Sequence, residues 1–85
     1  MTKPLLYTYH AETVISERGL DKRWVEAVVR RPDWRAPDPS GSDMERRFGR
    51  ITERDGRYLR VVCVENTDYI RIISAFLDRG ARRPE

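Results

Sequence analysis

The sequence has little of what metal and disulfide chemistry need. It holds one cysteine, Cys63, and one histidine, His10, in 85 residues. A lone cysteine excludes a disulfide within the chain and any cysteine-based metal site. A lone histidine argues against zinc, which takes several His or Cys ligands. No metal or cofactor is expected. Long apolar runs are missing too. The opening Met1-Thr2-Lys3-Pro4-Leu5-Leu6 is too short for a signal peptide. No stretch is apolar enough to span a membrane, so a cytoplasmic chain is the expectation. Lysine is scarce, at Lys3 and Lys22 alone.

What is present is arginine. It supplies nearly all of the 17 basic residues, against 14 acidic ones, for a net charge of +3. That balance is mildly basic, and the arginines recur along the predicted strands. Arginine suits phosphate because its planar fork donates two parallel hydrogen bonds. Hydrophobic residues make up 39% of the chain, enough for one domain with a modest core at this length.

Pro4 to Thr8 read as a short extended lead-in with room for an extra strand, and Thr8 is placed to cap a helix whose stripe is Ala11, Val14 and Ile15, with Gly19 at its C-terminal end. Asp21 caps a second helix that buries Trp24, Val25, Val28 and Val29 and stops before Pro32. The pattern predicts helices over about 9–18 and 22–31 and a loop over 32–43. That loop carries Pro37, Pro39 and Gly41 and reads as a flap, with room for a short strand near Trp34 to Ala36. Strands follow over about 45–53, 57–65 and 68–77, with turns at Asp55-Gly56 and Asn66-Thr67. A charged tail covers 78–85. The expected fold is α+β: two N-terminal helices on one face of a three- to four-stranded antiparallel sheet.

A two-residue turn at Asn66-Thr67 pairs Cys63 with Ile70, Val61 with Ile72 and Leu59 with Ser74 on the helix-facing side. Tyr58, Arg60, Val62, Val64, Tyr69, Arg71, Ile73 and Ala75 then share the open face. The first hairpin has two registers. A two-residue Asp55-Gly56 turn puts Arg47 on the open face and turns Arg46, Phe48 and Arg50 inward. A bulged loop at Gly56 reverses this. Burying two arginines against the helices is expensive, which favours the bulged form.

The ordered set Thr8-Tyr9-His10-Ala11, Arg18-Gly19-Leu20, Val25 to Asp33, Arg46-Arg47-Phe48, Arg57 to Val64 and Ile73-Ser74-Ala75-Phe76 resembles the bacterial domain of unknown function numbered 4258, over about Tyr7 to Arg79. The strand Arg71-Ile72-Ile73-Ser74-Ala75 is also similar to the closing strand of BrnT-type toxins, where an arginine stands in place of Phe76. Those toxins share the RelE/barnase-like ribonuclease fold. The resemblance implies a toxin-like endoribonuclease of a toxin–antitoxin system, with RNA (ribosome-associated mRNA included) on the open sheet face. Its partner would be a cognate antitoxin.

Cleaving RNA without a metal needs a base for the ribose 2′-OH, a cation for the charged phosphorane and an acid for the leaving 5′ oxygen. His10 titrates nearest neutrality. His10, Arg60 and Ser74 are the candidate catalytic residues. Arg46, Arg47, Arg50, Arg71, Tyr58 and Tyr69 are the candidate RNA and phosphate contacts. Each has a structural alternative. His10 can bond to the sheet as a helix-start residue, and Arg18 can complement the helix dipole. Trp24 and Cys63 suit the core, and Trp34 can either stack a base or cover the core edge. At the level of the whole chain, the alternatives are a non-catalytic module that binds nucleic acid or protein, and a homodimer formed through an exposed sheet edge.

Overall fold

The computed structural model describes residues 2–84. Strand β1 (Leu5–Tyr7) leads into helix α1 (Tyr9–Glu17) and helix α2 (Lys22–Arg30). Strands β2 (Trp34–Pro37), β3 (Glu45–Ile51), β4 (Arg57–Glu65) and β5 (Ile70–Asp78) complete the chain. The helix ends follow local chemistry. The Thr8 hydroxyl accepts from the Ala11 amide at 3.0 Å, and Asp21 Oδ1 accepts from the Arg23 amide at 2.8 Å.

The strands form one five-stranded sheet in the order β1-β5-β4-β3-β2. This corrects the expected three- to four-stranded antiparallel sheet. The sheet is mixed, because β1 runs parallel to β5, pairing Leu5 with Ile70 and Tyr7 with Ile72. At the other edge, a third of the expected flap is strand β2, which pairs Trp34 with Phe48 and Pro37 with Glu45. Proline is tolerated there because an edge strand leaves one row of amides unpaired. The rest of the loop is held by the Asp38 amide donating to the Met44 carbonyl at 3.0 Å.

Both helices cover the same sheet face, α1 over β5 and α2 over β3 and β4. The core between them holds Ala11, Ile15, Val25, Val28 and Val29 from the helices and Leu59, Val61, Cys63, Ile72 and Ala75 from the strands. Burial pushes the Cys63 thiol up to about 11, so it stays a neutral core group. Helix α2 lies so close to β3 that a Cβ at Gly49 would stand 2.7 Å from Val28 Cγ2. Only glycine fits that contact without a shift.

Two registers decide which side chains meet on the open face. In the first hairpin a short 3-10 turn (Thr52–Arg54) precedes Asp55 and Gly56, both at positive φ. The pairs are Arg46–Val62, Phe48–Arg60 and Arg50–Tyr58. Arg46, Phe48 and Arg50 therefore face away from the helices, while Arg47 pairs with Val61 and faces them. In the second hairpin Cys63 pairs with Ile72 but Val62 pairs with Ser74, leaving Ile73 as a bulge. The expected two-residue turn is instead a four-residue loop, Asn66 to Tyr69, which moves Cys63 from Ile70 to Ile72; with the bulge added, Val61 meets Ala75 and Leu59 meets Leu77 in place of Ile72 and Ser74. Beyond the bulge every side chain changes face. Ala75 turns into the core, and Ser74, Phe76 and Asp78 join the open face.

Candidate nucleic-acid interface

The open face is built around Arg60. Its guanidinium carbon lies 4.1 Å from the centre of the Phe76 ring, a cation–π contact. Its Nε is buried and has no hydrogen-bond partner. The nearest carboxylate, Asp78 Oδ2, is 3.5 Å from that Nε, an ion pair without a hydrogen bond. No side-chain nitrogen of Arg60 donates a hydrogen bond to any described residue. Burial lowers its pKa, the Arg46 charge beside it lowers it further, and Asp78 acts against both. Arginine remains a cation in spite of this. Arg60 is therefore a partly buried positive charge with spare donors. The Nε lies out of reach of solvent, and the free donors that can meet an anion are the two Nη groups.

Aromatic rings border this charge. Trp34 stacks on Phe48 at 4.6 Å with an interplanar angle of 11°. Tyr58 meets Trp34 edge-on at 5.0 Å. Arg46 Nε donates to Asp38 Oδ2 at 2.9 Å. Ser74 sits opposite Val62, diagonal to Arg60 on the same face. The face thus gathers Trp34, Arg46, Tyr58, Arg60, Ser74 and Phe76 around one patch. Such a patch can hold a phosphate on the arginines and stack bases on the rings.

The other sequence candidates lie elsewhere. Arg47 is 2% exposed and faces the helices, so it is not available as an RNA contact. It donates to the Val29 carbonyl at 2.8 Å, to Glu45 Oε1 at 2.7 Å and to Glu65 Oε1 at 2.6 Å. Arg50 is opposite Tyr58, but its guanidinium lies against the hairpin, within 2.6 Å of where a Cβ on Gly56 would stand. Arg71 donates to the Tyr69 hydroxyl at 3.3 Å, which lowers the Tyr69 pKa. This pair is ~15 Å from Phe76 along β5, by strand rise. His10 is exposed at the start of α1 and makes none of the hydrogen bonds or ion pairs among the described residues. Glu12 pairs with Lys22 at the start of α2. The flank of α1 that carries His10 lies opposite Glu12 and so turns away from α2. The structure brings Arg60, Arg46, Ser74 and Tyr58 together and leaves His10, Arg47, Arg71 and Tyr69 outside that group.

Sequence reasoning passed over Phe76, Asp38 and Asp78. Phe76 is the platform under Arg60, and the bulge that puts it there has no signature in the run Ile72-Ile73. Asp38 had a signal in its Asp-Pro-Ser turn. Hydrogen bonds from Ser40 and Arg46 hold its carboxyl at about 2. Hydrogen bonds from Lys3 and Arg47 hold Glu65 at about 2 as well. Both values lie below the unfolded-chain values of about 3.9 for Asp and 4.3 for Glu. A depressed folded pKa stabilises the fold above the unfolded pKa, and that contribution is lost as pH falls through the folded one. Urea unfolding as a function of pH should therefore show stability falling from about pH 5 towards pH 2. Asp38→Asn together with Glu65→Gln should flatten that slope, and an unchanged slope would refute the assignment.

No three His, Cys, Asp or Glu side chains converge as a metal site among the described residues. No helix among them is long and apolar enough to cross a membrane. Comparison with known proteins gives one positive result. The model of a family described as Domain of unknown function (DUF4258) matches residues 7–77, from the end of β1 to the penultimate residue of β5. No curated protein and no solved structure matches the chain. The match takes in both helices and every strand that builds the open face, and the chain belongs to the DUF4258 family.

Proposed function

We propose that this protein is a toxin-like, metal-independent endoribonuclease that holds single-stranded RNA on the open face of its sheet. The observation that carries the reading is Arg60, a partly buried cation with unused donors between Phe76 and Arg46. It supports phosphate binding, and the Trp34 and Tyr58 rings beside it support base stacking. In the cleavage step the ribose 2′-OH attacks the adjacent phosphorus and loses its proton to a base. The P–O5′ bond breaks, and an acid protonates the leaving 5′ oxygen. The products are a 2′,3′-cyclic phosphate and a 5′-OH. Arg60 and Arg46 would balance the phosphorane charge, Ser74 would orient the phosphate, and His10 would carry a proton. An acidic antitoxin segment would close the same face, and the BrnT/RelE-like relationship belongs to this reading.

A second reading has its own support. His10 has no contact with Arg60 or Ser74, which favours a module of the same fold that binds RNA without cutting it. Incubation of labelled single-stranded RNA in EDTA with wild type and His10→Ala separates the two. The enzyme reading expects wild-type cleavage, a loss of about 10²–10⁴ in rate in the folded mutant, and RNA binding kept. No cleavage of any RNA tried by folded wild type would leave the binding module.

A further inference from the structure

A groove of about 420 Å³ lies round the edge of β5 from the open face, on the helix side, lined by Arg18, Leu20, Arg54, Arg57, Phe76 and Leu77. Its three arginines form no ion pair among the described residues, and no carboxylate lines it. Arg18 Nη1 donates to the Ala75 carbonyl at 2.7 Å, and its guanidinium carbon is 5.6 Å from the Phe76 ring. One ring therefore contacts both Arg60 and Arg18. Phe76 joins the open face to the groove, and positive charge continues across it.

We propose that this groove is a second phosphate subsite, holding the neighbouring nucleotides of a single-stranded RNA whose central phosphate lies on Arg60. The proposal rests on the RNA-binding part of the reading above and not on cleavage. Three like charges in one groove repel each other, and a polyanion relieves that repulsion. Leu20, Leu77 and Phe76 give the floor an apolar surface for sugars and bases. The other polyanion of suitable shape is an acidic peptide strand added to β5. The observations favour RNA over it, because Arg18 already occupies the Ala75 carbonyl that an added strand would need. The charge is also continuous with Arg60.

The test measures fluorescence anisotropy of labelled oligouridylates, a dinucleotide and a decanucleotide, over a salt series. Wild type is compared with the double variant Arg54→Gln/Arg57→Gln, with folding confirmed by circular dichroism. Each lost phosphate contact on a single strand removes about 0.7 from the slope of log K against log salt. The double variant should lose about 1.4 from the decanucleotide slope and leave dinucleotide binding unchanged. Arg57→Gln alone keeps the Arg54–Trp24 contact and should lose about half as much. An unchanged decanucleotide slope in variants whose parent binds RNA would overturn the subsite alone. Equal losses for both lengths would also overturn it, as would oligoglutamate that binds wild type, fails to bind the double variant and leaves the decanucleotide in place. Failure of wild type to bind either oligonucleotide would overturn the subsite and the RNA reading together.

Discussion

Arg47→Ala should destabilise the fold by about 3–5 kcal/mol, the cost of removing one partner from a buried ionic network. Arg47 is the most buried cation among the described residues, and its guanidinium joins β3, β4 and α2 through Glu45, Glu65 and the Val29 carbonyl. Burial pulls its pKa down, but hydrogen bonds from it to Glu65 and Glu45 outweigh that and leave the pKa raised. Without the guanidinium the two carboxylates face each other, and the Val29 carbonyl loses its partner. Arg47→Met should do little better, because it restores volume and not charge. Arg35 contacts Glu45 in the same network, but its side chain is 53% exposed. Arg35→Ala should therefore cost only about 0–1 kcal/mol. Urea denaturation of the three variants tests this. Equal costs for Arg35→Ala and Arg47→Ala would refute a buried network centred on Arg47.

Arg60→Met should do the opposite. It should weaken single-stranded RNA binding about tenfold to a hundredfold, the worth of one or two hydrogen bonds to a charged group. It should also leave the melting temperature unchanged or raise it. Arg60 is mostly buried with no hydrogen bond in return, and Asp78, paired with it at 3.5 Å, keeps the Gly80 amide as a partner, so an apolar side chain of similar length relieves more desolvation than it loses in pairing. Binding residues are often kept at the expense of stability. Arg60→Lys should not restore binding, because a point charge replaces the fork and stacks less well on Phe76. Thermal unfolding and anisotropy on the same three proteins check both halves. A destabilised Arg60→Met with undiminished RNA binding would make Arg60 a structural residue.

These two arginines also show what the sequence made legible. Local signals sufficed where the cause is local, as with the Thr8 and Asp21 caps and the stop at Pro32. Strand β1 showed only as a short extended lead-in, because three residues show no periodicity and parallel pairing with β5 joins segments more than sixty residues apart. Strand β2 was noticed only as an option inside a proline-containing loop. The burial of Arg47 depended on Glu65, which becomes its neighbour only once β3 and β4 pair. The bulge at Ile73 had the largest consequence. A one-residue slip moved Ser74 and Phe76 onto the face of Arg60 and took Ala75 into the core. Tyr58 and Arg60 were placed on one face from alternation, and Arg46 joined them through the cost of burying arginines, while the ring beneath Arg60 needed the three-dimensional register.

The central claim is where RNA sits, and amide chemical-shift mapping of the labelled protein on titration with a single-stranded oligouridylate tests it most directly. The account predicts shifts concentrated at Trp34, Arg46, Phe48, Tyr58, Arg60, Ser74 and Phe76, with the exposed side of α2 around Glu26 and Ala27 unmoved. Shifts confined to the helical face, or none at saturating RNA, would contradict it.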